Sequence, residues 1–120
     1  MVNCIFCKIA EGSIPSDTIF EDKIVRVFKD INPKAPVHIL VIPKEHVESI
    51  AHLEDGHAQI VAHMVDTAKK VAKDYGLKGY KLVFNVGREG GQVIDHLHLH
   101  ILGGWPSKEK AVGFGLELAG

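Results

Sequence analysis

Apolar residues change their spacing several times along the chain, and each change marks an element. Ile60, Val61, Met64, Val65, Ala68, Val71 and Ala72 recur at three- and four-residue steps, which places them along one face of a helix. The pattern predicts one long helix over 56–75, with Gly76 placed to end it. A short helix is predicted over 4–10, carrying Ile5, Phe6 and Ile9 on one side and stopped by Gly12 and Pro15. Strands are predicted over 18–21 and 24–29, joined at Asp22-Lys23, and over 38–42, where β-branched residues crowd before Pro43. Segment 30–36 reads as a loop punctuated by Pro33 and Pro36. Two more strands, 80–86 and 97–102, flank a glycine-rich loop over 87–95. Strands outnumber helices and short links favour antiparallel pairing, so the class is α+β. The expected form is a five-stranded antiparallel sheet with one long and one or two short helices, in one domain over 1–120. The tail after Gly103-Gly104 contains three more glycines and Trp105 and carries no readable period.

Composition narrows the classes. With 120 residues the chain can build one real core and not two. An apolar fraction of 46% and a charged fraction of 24% are those of a globular protein. Fourteen basic residues against 15 acidic ones give no polyanion track, so nucleic acid is not an expected partner. Near-neutral charge also lowers one barrier to self-association. No window approaches eighteen consecutive apolar residues, so no membrane span is expected. The N-terminal residues lack a secretory pattern. Cys4 and Cys7, at a Cys-x-x-Cys spacing, then argue against a structural disulfide, and a cytoplasmic location is expected.

The densest chemistry lies in His96-Leu97-His98-Leu99-His100-Ile101-Leu102. On an extended strand, residues two apart share a face. All three imidazoles are therefore expected on one side, with Leu97, Leu99 and Ile101 turned to the core. Imidazole serves as nucleophile, general acid, general base or metal ligand near neutral pH. A single metal held by all three is disfavoured. His96 and His100 stand about 13 Å apart along a straight strand, whereas zinc holds nitrogen at about 2.1 Å. A polar solvated sheet face is the remaining alternative, although such faces usually carry Thr, Lys or Glu.

The preceding loop, Asn85 to Val93, contains Gly87, Gly90 and Gly91. Glycines let backbone N–H groups approach an anion closely, and the amide of Asn85 or Gln92 can donate to a phosphate. The plainer reading is a connection that needs glycine for its geometry. Asp30, at the end of the second strand, has two acceptor oxygens that suit paired ribose hydroxyls. Read alone, it is better taken as an Asx-turn or loop cap before Asn32-Pro33. His52, His57 and His63 read as surface or helix residues without a role.

These residues together resemble the histidine-triad nucleotide-binding superfamily, whose signature is His-x-His-x-His-x-x with apolar x. The resemblance extends through Ile14-Pro15-Ser16, Asp30-Ile31, Pro33-Lys34-Ala35-Pro36, His38 to Lys44 and Gly90-Gly91-Gln92. Gly103-Gly104 resembles the nucleoside phosphoramidase branch; dinucleoside-polyphosphate hydrolases usually carry Pro-Arg there. The resemblance implies that His98 attacks the α-phosphorus to form a nucleotidyl-histidine, which water then hydrolyses. It implies that His100 and His38 orient the phosphate and the triad, and that His96 supports their hydrogen bonds. Asn85, Gly91, Gln92 and the Val93 backbone would line the phosphate site. Asp30 would hold the ribose, with Phe6, Ile9, Phe28, Ile31 and Leu40 around a purine. Some members carry serine where this chain has Val93. Trp105-Pro106 also follows the glycines directly, before a different tail, and family C-termini often cross into the partner's site.

Relatives with a similar Cys-x-x-Cys imply a structural zinc on Cys4, Cys7, His46 and His96. Two buried cysteines on a helix face are the alternative. Catalysis is expected to need no cofactor. The implied assembly is a homodimer whose sheets join into ten strands. The implied reaction is hydrolysis of the P–N bond in purine nucleoside 5′-phosphoramidates. A dinucleoside-polyphosphate hydrolase or nucleotidyl transferase, and a non-enzymatic nucleotide-binding regulator, are the alternatives.

Overall fold

The computed structural model describes residues 4–114. Its elements are α1 (Ile5–Ala10), β1 (Thr18–Glu21), β2 (Val25–Lys29), β3 (Val37–Pro43), α2 (His57–Asp74), β4 (Tyr80–Val83), β5 (Leu99–Gly103) and α3 (Lys108–Phe114). The strands form one antiparallel sheet in the order β1-β2-β3-β5-β4. The α+β class and the five-stranded sheet are as expected. Helix α3 and two single-turn 3-10 helices, Ile50–His52 and Arg88–Gly90, carry no periodicity that would have predicted them. Tail residues 115–120 lie outside the described residues.

Alternation along the strands gives the sheet two apolar faces. Val25, Val27, Ile39, Val41, Leu99 and Ile101 turn one way and are buried with Met64, Ala68 and Val71 of α2. Their neighbours Phe28, Leu40 and Ile42 turn the other way and are buried with Phe6, Ile9 and Ala10 around α1. A strand buried on both faces reads as a near-continuous apolar run, and Ile39-Leu40-Val41-Ile42 of β3 is that run.

Strand limits differ from expectation where the ladder runs out of partners. β5 begins at Leu99, opposite Val41. Two residues earlier its partner would be Pro43, which has no N–H to give. Leu97 N–H instead donates to the Val47 carbonyl at 2.7 Å. His96 and His98 therefore precede the strand, and only His100 of the three lies within it. For the same reason β4 stops at Val83, opposite His100, short of the expected 86.

Gly103 and Gly104 end β5 under close contacts. A Cβ on Gly103 would meet Leu77 Cδ1 at 3.0 Å, and one on Gly104 would meet Val37 Cγ2 at 3.0 Å and Pro36 Cβ at 3.2 Å. Gly104 also has φ +83°, where a side chain is strained. Gly104→Ala is expected to destabilise the protein by about 1–3 kcal/mol. Gly90→Ala, whose Cβ would enter open space at ordinary φ, should stay within about 1 kcal/mol of wild type. Urea unfolding midpoints of the two variants check this.

Candidate active site

Three hydrogen bonds with unambiguous direction determine the state of the histidines. The His98 Nδ1–H donates to the His96 carbonyl at 2.7 Å, because a carbonyl only accepts. A neutral ring has one proton, so His98 Nε2 is a bare lone pair. The His96 Nε2–H donates to the Pro43 carbonyl at 2.9 Å, so its lone pair sits on Nδ1. The Lys34 main-chain N–H donates to His38 Nδ1 at 2.9 Å, so His38 carries its proton on Nε2. That Nε2 lies 2.9 Å from His100 Nδ1 and 3.4 Å from Asp30 Oδ2.

Register explains how the rings meet. His38 pairs with Leu102 and Leu40 with His100, so His38 and His100 are diagonal neighbours on one face, within reach of each other. Their ring centroids are 5.1 Å apart, and those of His98 and His100 are 5.0 Å apart. Phe6 of α1 closes over the row, its ring 5.1 Å from His98 and 6.0 Å from His96.

Burial keeps these rings neutral. It lowers the His98 and His38 pKa values below the ordinary histidine range, against the opposing pull of Asp30 on both. It brings His100 down to about 3, helped by its neighbours His98 and His38.

A family model, described as scavenger mRNA decapping enzyme C-term binding, matches residues 3–111. The purine nucleoside phosphoramidase of Escherichia coli K12 is 41% identical over 104 residues, covering 85% of this chain and 87% of that one. A crystal structure of a HIT family hydrolase from Legionella pneumophila Philadelphia 1 superposes with a TM-score of 0.83 at 49% identity, covering 87% and 98% of the two chains. A Zn-bound histidine triad family protein from Mycobacterium smegmatis superposes at 0.79 with 27% identity, covering 90% and 79%. The chain belongs to the histidine-triad (HIT) family.

The structure distributes the remaining expected residues of this HIT protein unevenly. Phe6, Ile9, Phe28 and Leu40 do gather in one cluster, and it is buried, with Phe6 against the His98 ring. Ile31 stands apart at 89% exposed. Asp30 forms the Asx-turn: Oδ1 accepts the Asn32 N–H at 2.8 Å, while Oδ2 approaches His38 at 3.4 Å.

In the glycine loop, Gly87 and Gly91 take φ values of +72° and +88°, which favour glycine. The Gly91 and Gln92 amides are used within the turn, on Arg88 and Gly87 carbonyls. The Gln92 side chain points inward at 2% exposed. Its Oε1 accepts from Gly87 N–H, and its Nε2 donates to the Glu48 and Ile94 carbonyls. Gln92 thus holds the loop, and no free amide remains on it for a phosphate. Asn85 Nδ2 donates to the Gly90 carbonyl at 2.9 Å, and Val93 is 67% exposed.

Cys4, Cys7, His46 and His96 converge, their ligand atoms all within 4.8 Å of one another. His96 Nδ1 lies 3.2 Å from Cys4 Sγ, 3.4 Å from Cys7 Sγ and 3.2 Å from His46 Nδ1. Zinc bonds of about 2.1 and 2.3 Å in a tetrahedron separate ligand atoms by about 3.4–3.8 Å. The lone pair on His96 Nδ1 faces the right way, so the donor set fits zinc. Burial, and then the hydrogen bond with Cys4, push the Cys7 thiol up to about 11; a bound cation would be what keeps it a thiolate near neutrality. Asp30, His38 and His100 also lie within 4.8 Å. That trio does not fit a cation, because both nitrogens of His38 are committed, one to Lys34 and one to its proton.

Histidines without an expected role act as staples around α2. His63 Nε2 meets Asp22 at 2.7 Å, and Asp22 in turn accepts from Ile24 and Val25 N–H in the β1–β2 turn. His57 accepts the Glu54 N–H and reaches Glu45. No spacing along the chain announces these pairs.

The buried neutral His100 has a consequence for stability. Unfolding returns it to its ordinary value of 6.5 from about 3, so below pH 6.5 the unfolded chain binds the extra proton. Stability is therefore full above about pH 6.5 and falls as pH drops toward 4. Melting temperature against pH should show that decline, and His100→Gln should make it shallower.

Proposed function

We propose that this HIT-family hydrolase cleaves the P–N bond of purine nucleoside 5′-phosphoramidates through a covalent intermediate on His98. The observation that carries the reading is the bare Nε2 of His98, fixed by the Nδ1–H bond to the His96 carbonyl. Orientation of this kind is what an imidazole nucleophile needs. His98 Nε2 attacks the α-phosphorus and forms an N–P bond while the P–N bond to the leaving group breaks. The amine departs with a proton from solvent. Water then attacks the phosphorus, releasing the nucleoside monophosphate and restoring His98. His100 Nε2–H stabilises the phosphate oxygens by donation, and His38 and His96 hold the row in place. Asn85, Gly91 and the Val93 backbone shape the phosphate side of the site. Asp30 accepts from the ribose hydroxyls with the lone pairs its Asx-turn leaves over, and Ile31 with Phe6, Ile9, Phe28 and Leu40 borders the purine. The name of the Escherichia coli relative supports the substrate class.

The reading includes a twofold dimer joined at β4. Both β1 and β4 are sheet edges, but β1 is interrupted by an irregularity between Thr18 and Phe20, a common guard against pairing. β4 is regular and presents a partly exposed Leu82. It also includes zinc on Cys4, Cys7, His46 and His96, with a stabilising role. Zinc at that centre would tie α1 to the segments carrying His46 and His96.

His98→Ala should lower turnover of adenosine phosphoramidate by at least about a thousandfold while nucleotide binding persists. Rapid-quench trapping should find the phosphorus adduct on His98; an adduct on His96 or His100 would refute the assignment. Parallel assays with diadenosine polyphosphate and a nucleotide sugar rank the substrate classes. Freshly purified protein should carry about one zinc per chain, and chelation should lower its melting temperature. Metal analysis finding none in reduced protein would return the cysteines to a packing role.

A further inference from the structure

His100 Nε2 is buried and meets no hydrogen-bond partner among the described residues, an arrangement that calls for an explanation. What this nitrogen offers is determined two residues away. The Lys34 amide can only donate, and it donates to His38 Nδ1. His38 Nε2–H then faces His100 Nδ1 at 2.9 Å, which must accept. The single proton of a neutral His100 is left on Nε2.

We propose that the main-chain N–H of Lys34 is a positioning group, setting the tautomer of His100 through His38 so that His100 Nε2 presents a donor. The loop is built to aim that amide. Asp30 N–H donates to the His38 carbonyl at 3.0 Å, closing the loop. Asp30 Oδ1 holds Asn32 N–H, and Pro33 fixes the backbone torsion just before Lys34. The charged and titratable groups around His38 are Asp30, Lys34, His98 and His100. Of these, Asp30 Oδ2 at 3.4 Å is a second acceptor for the same His38 Nε2–H and does not alter where the proton sits. With that proton on Nδ1 instead, His38 and the Lys34 amide would both be donors facing each other. The Lys34 side-chain charge disfavours a second proton on His38 and does not choose between its two nitrogens.

The test uses the full chain labelled with 15N, because protonated and bare ring nitrogens resonate far apart. Wild type and Lys34→Ala, which keeps the amide hydrogen, should both hold the proton on Nε2 of His38 and of His100. Lys34→Pro removes that hydrogen together with the side chain, whose loss Lys34→Ala controls, at a position already preceded by proline. It should let His100 populate both tautomers and lower kcat at least about tenfold, with KM changed less than about twofold. Replacing residue 34 by its α-hydroxy acid removes the same hydrogen without a ring and carries the same expectation should proline disturb the loop. A wild-type His100 protonated on Nδ1 would overturn the proposal, as would Lys34→Pro and the ester both keeping the wild-type tautomer and kcat. The kinetic arm rests on the hydrolase reading above. The spectra need no substrate, so a Nε2-protonated His100 in a protein inert toward phosphoramidates would refute that reading and support this one.

Discussion

The end of the β3–β5 ladder at Pro43 is the constraint on which the rest of this site depends. Proline has no N–H, so the chain before Leu99 cannot go on pairing with β3. It satisfies itself elsewhere: Leu97 N–H on the Val47 carbonyl, His96 Nε2–H on the Pro43 carbonyl and His98 Nδ1–H on the His96 carbonyl. Beyond the end of the ladder, two main-chain carbonyls choose the tautomers of two histidines.

Those tautomers divide the triplet into separate tasks. His96 turns its lone pair to the two cysteines, His98 keeps its own on Nε2, and His100 carries its proton on a buried Nε2. Burial sustains the arrangement because a desolvated imidazole resists protonation, and a neutral row avoids stacking like charges 5 Å apart. Electrostatics and tautomer selection here come from main-chain groups more than from carboxylates. Among the described residues, Asp30 is the acidic side chain that acts on the row; its Oδ2 approaches His38, and its charge also acts on His98.

Residue 96 also joins the two centres. Its ring belongs to the Cys4–Cys7–His46 cluster while its carbonyl holds His98, and the adjacent Leu97 is tied to Val47, next to His46. Glu48 in that same segment holds Gln92 and through it the glycine loop. Segment 44–49 is therefore the common support of the cysteine cluster, the histidine row and the glycine loop.

The sequence by itself determined the sheet, the long helix and the face on which the histidines lie, because these follow from periodicities of 2 and 3.6 that local geometry imposes. It also marked the Cys-x-x-Cys pair, since spacing on one turn of helix brings the two sulfurs together. Tertiary structure alone decided which nitrogen of each ring carries the proton, for the partners of His38, His96 and His98 are main-chain groups whose direction no residue type encodes. It likewise turned Gln92 inward as a buttress and left Ile31 exposed, although both sit in motif positions that suggested ligand contact. The stretch from Tyr80 to Val86 reads as one strand, yet it ends at Val83 because a strand lasts only as long as its neighbour. Side-chain alternation is a property of the chain; the end of a ladder is a property of the pair.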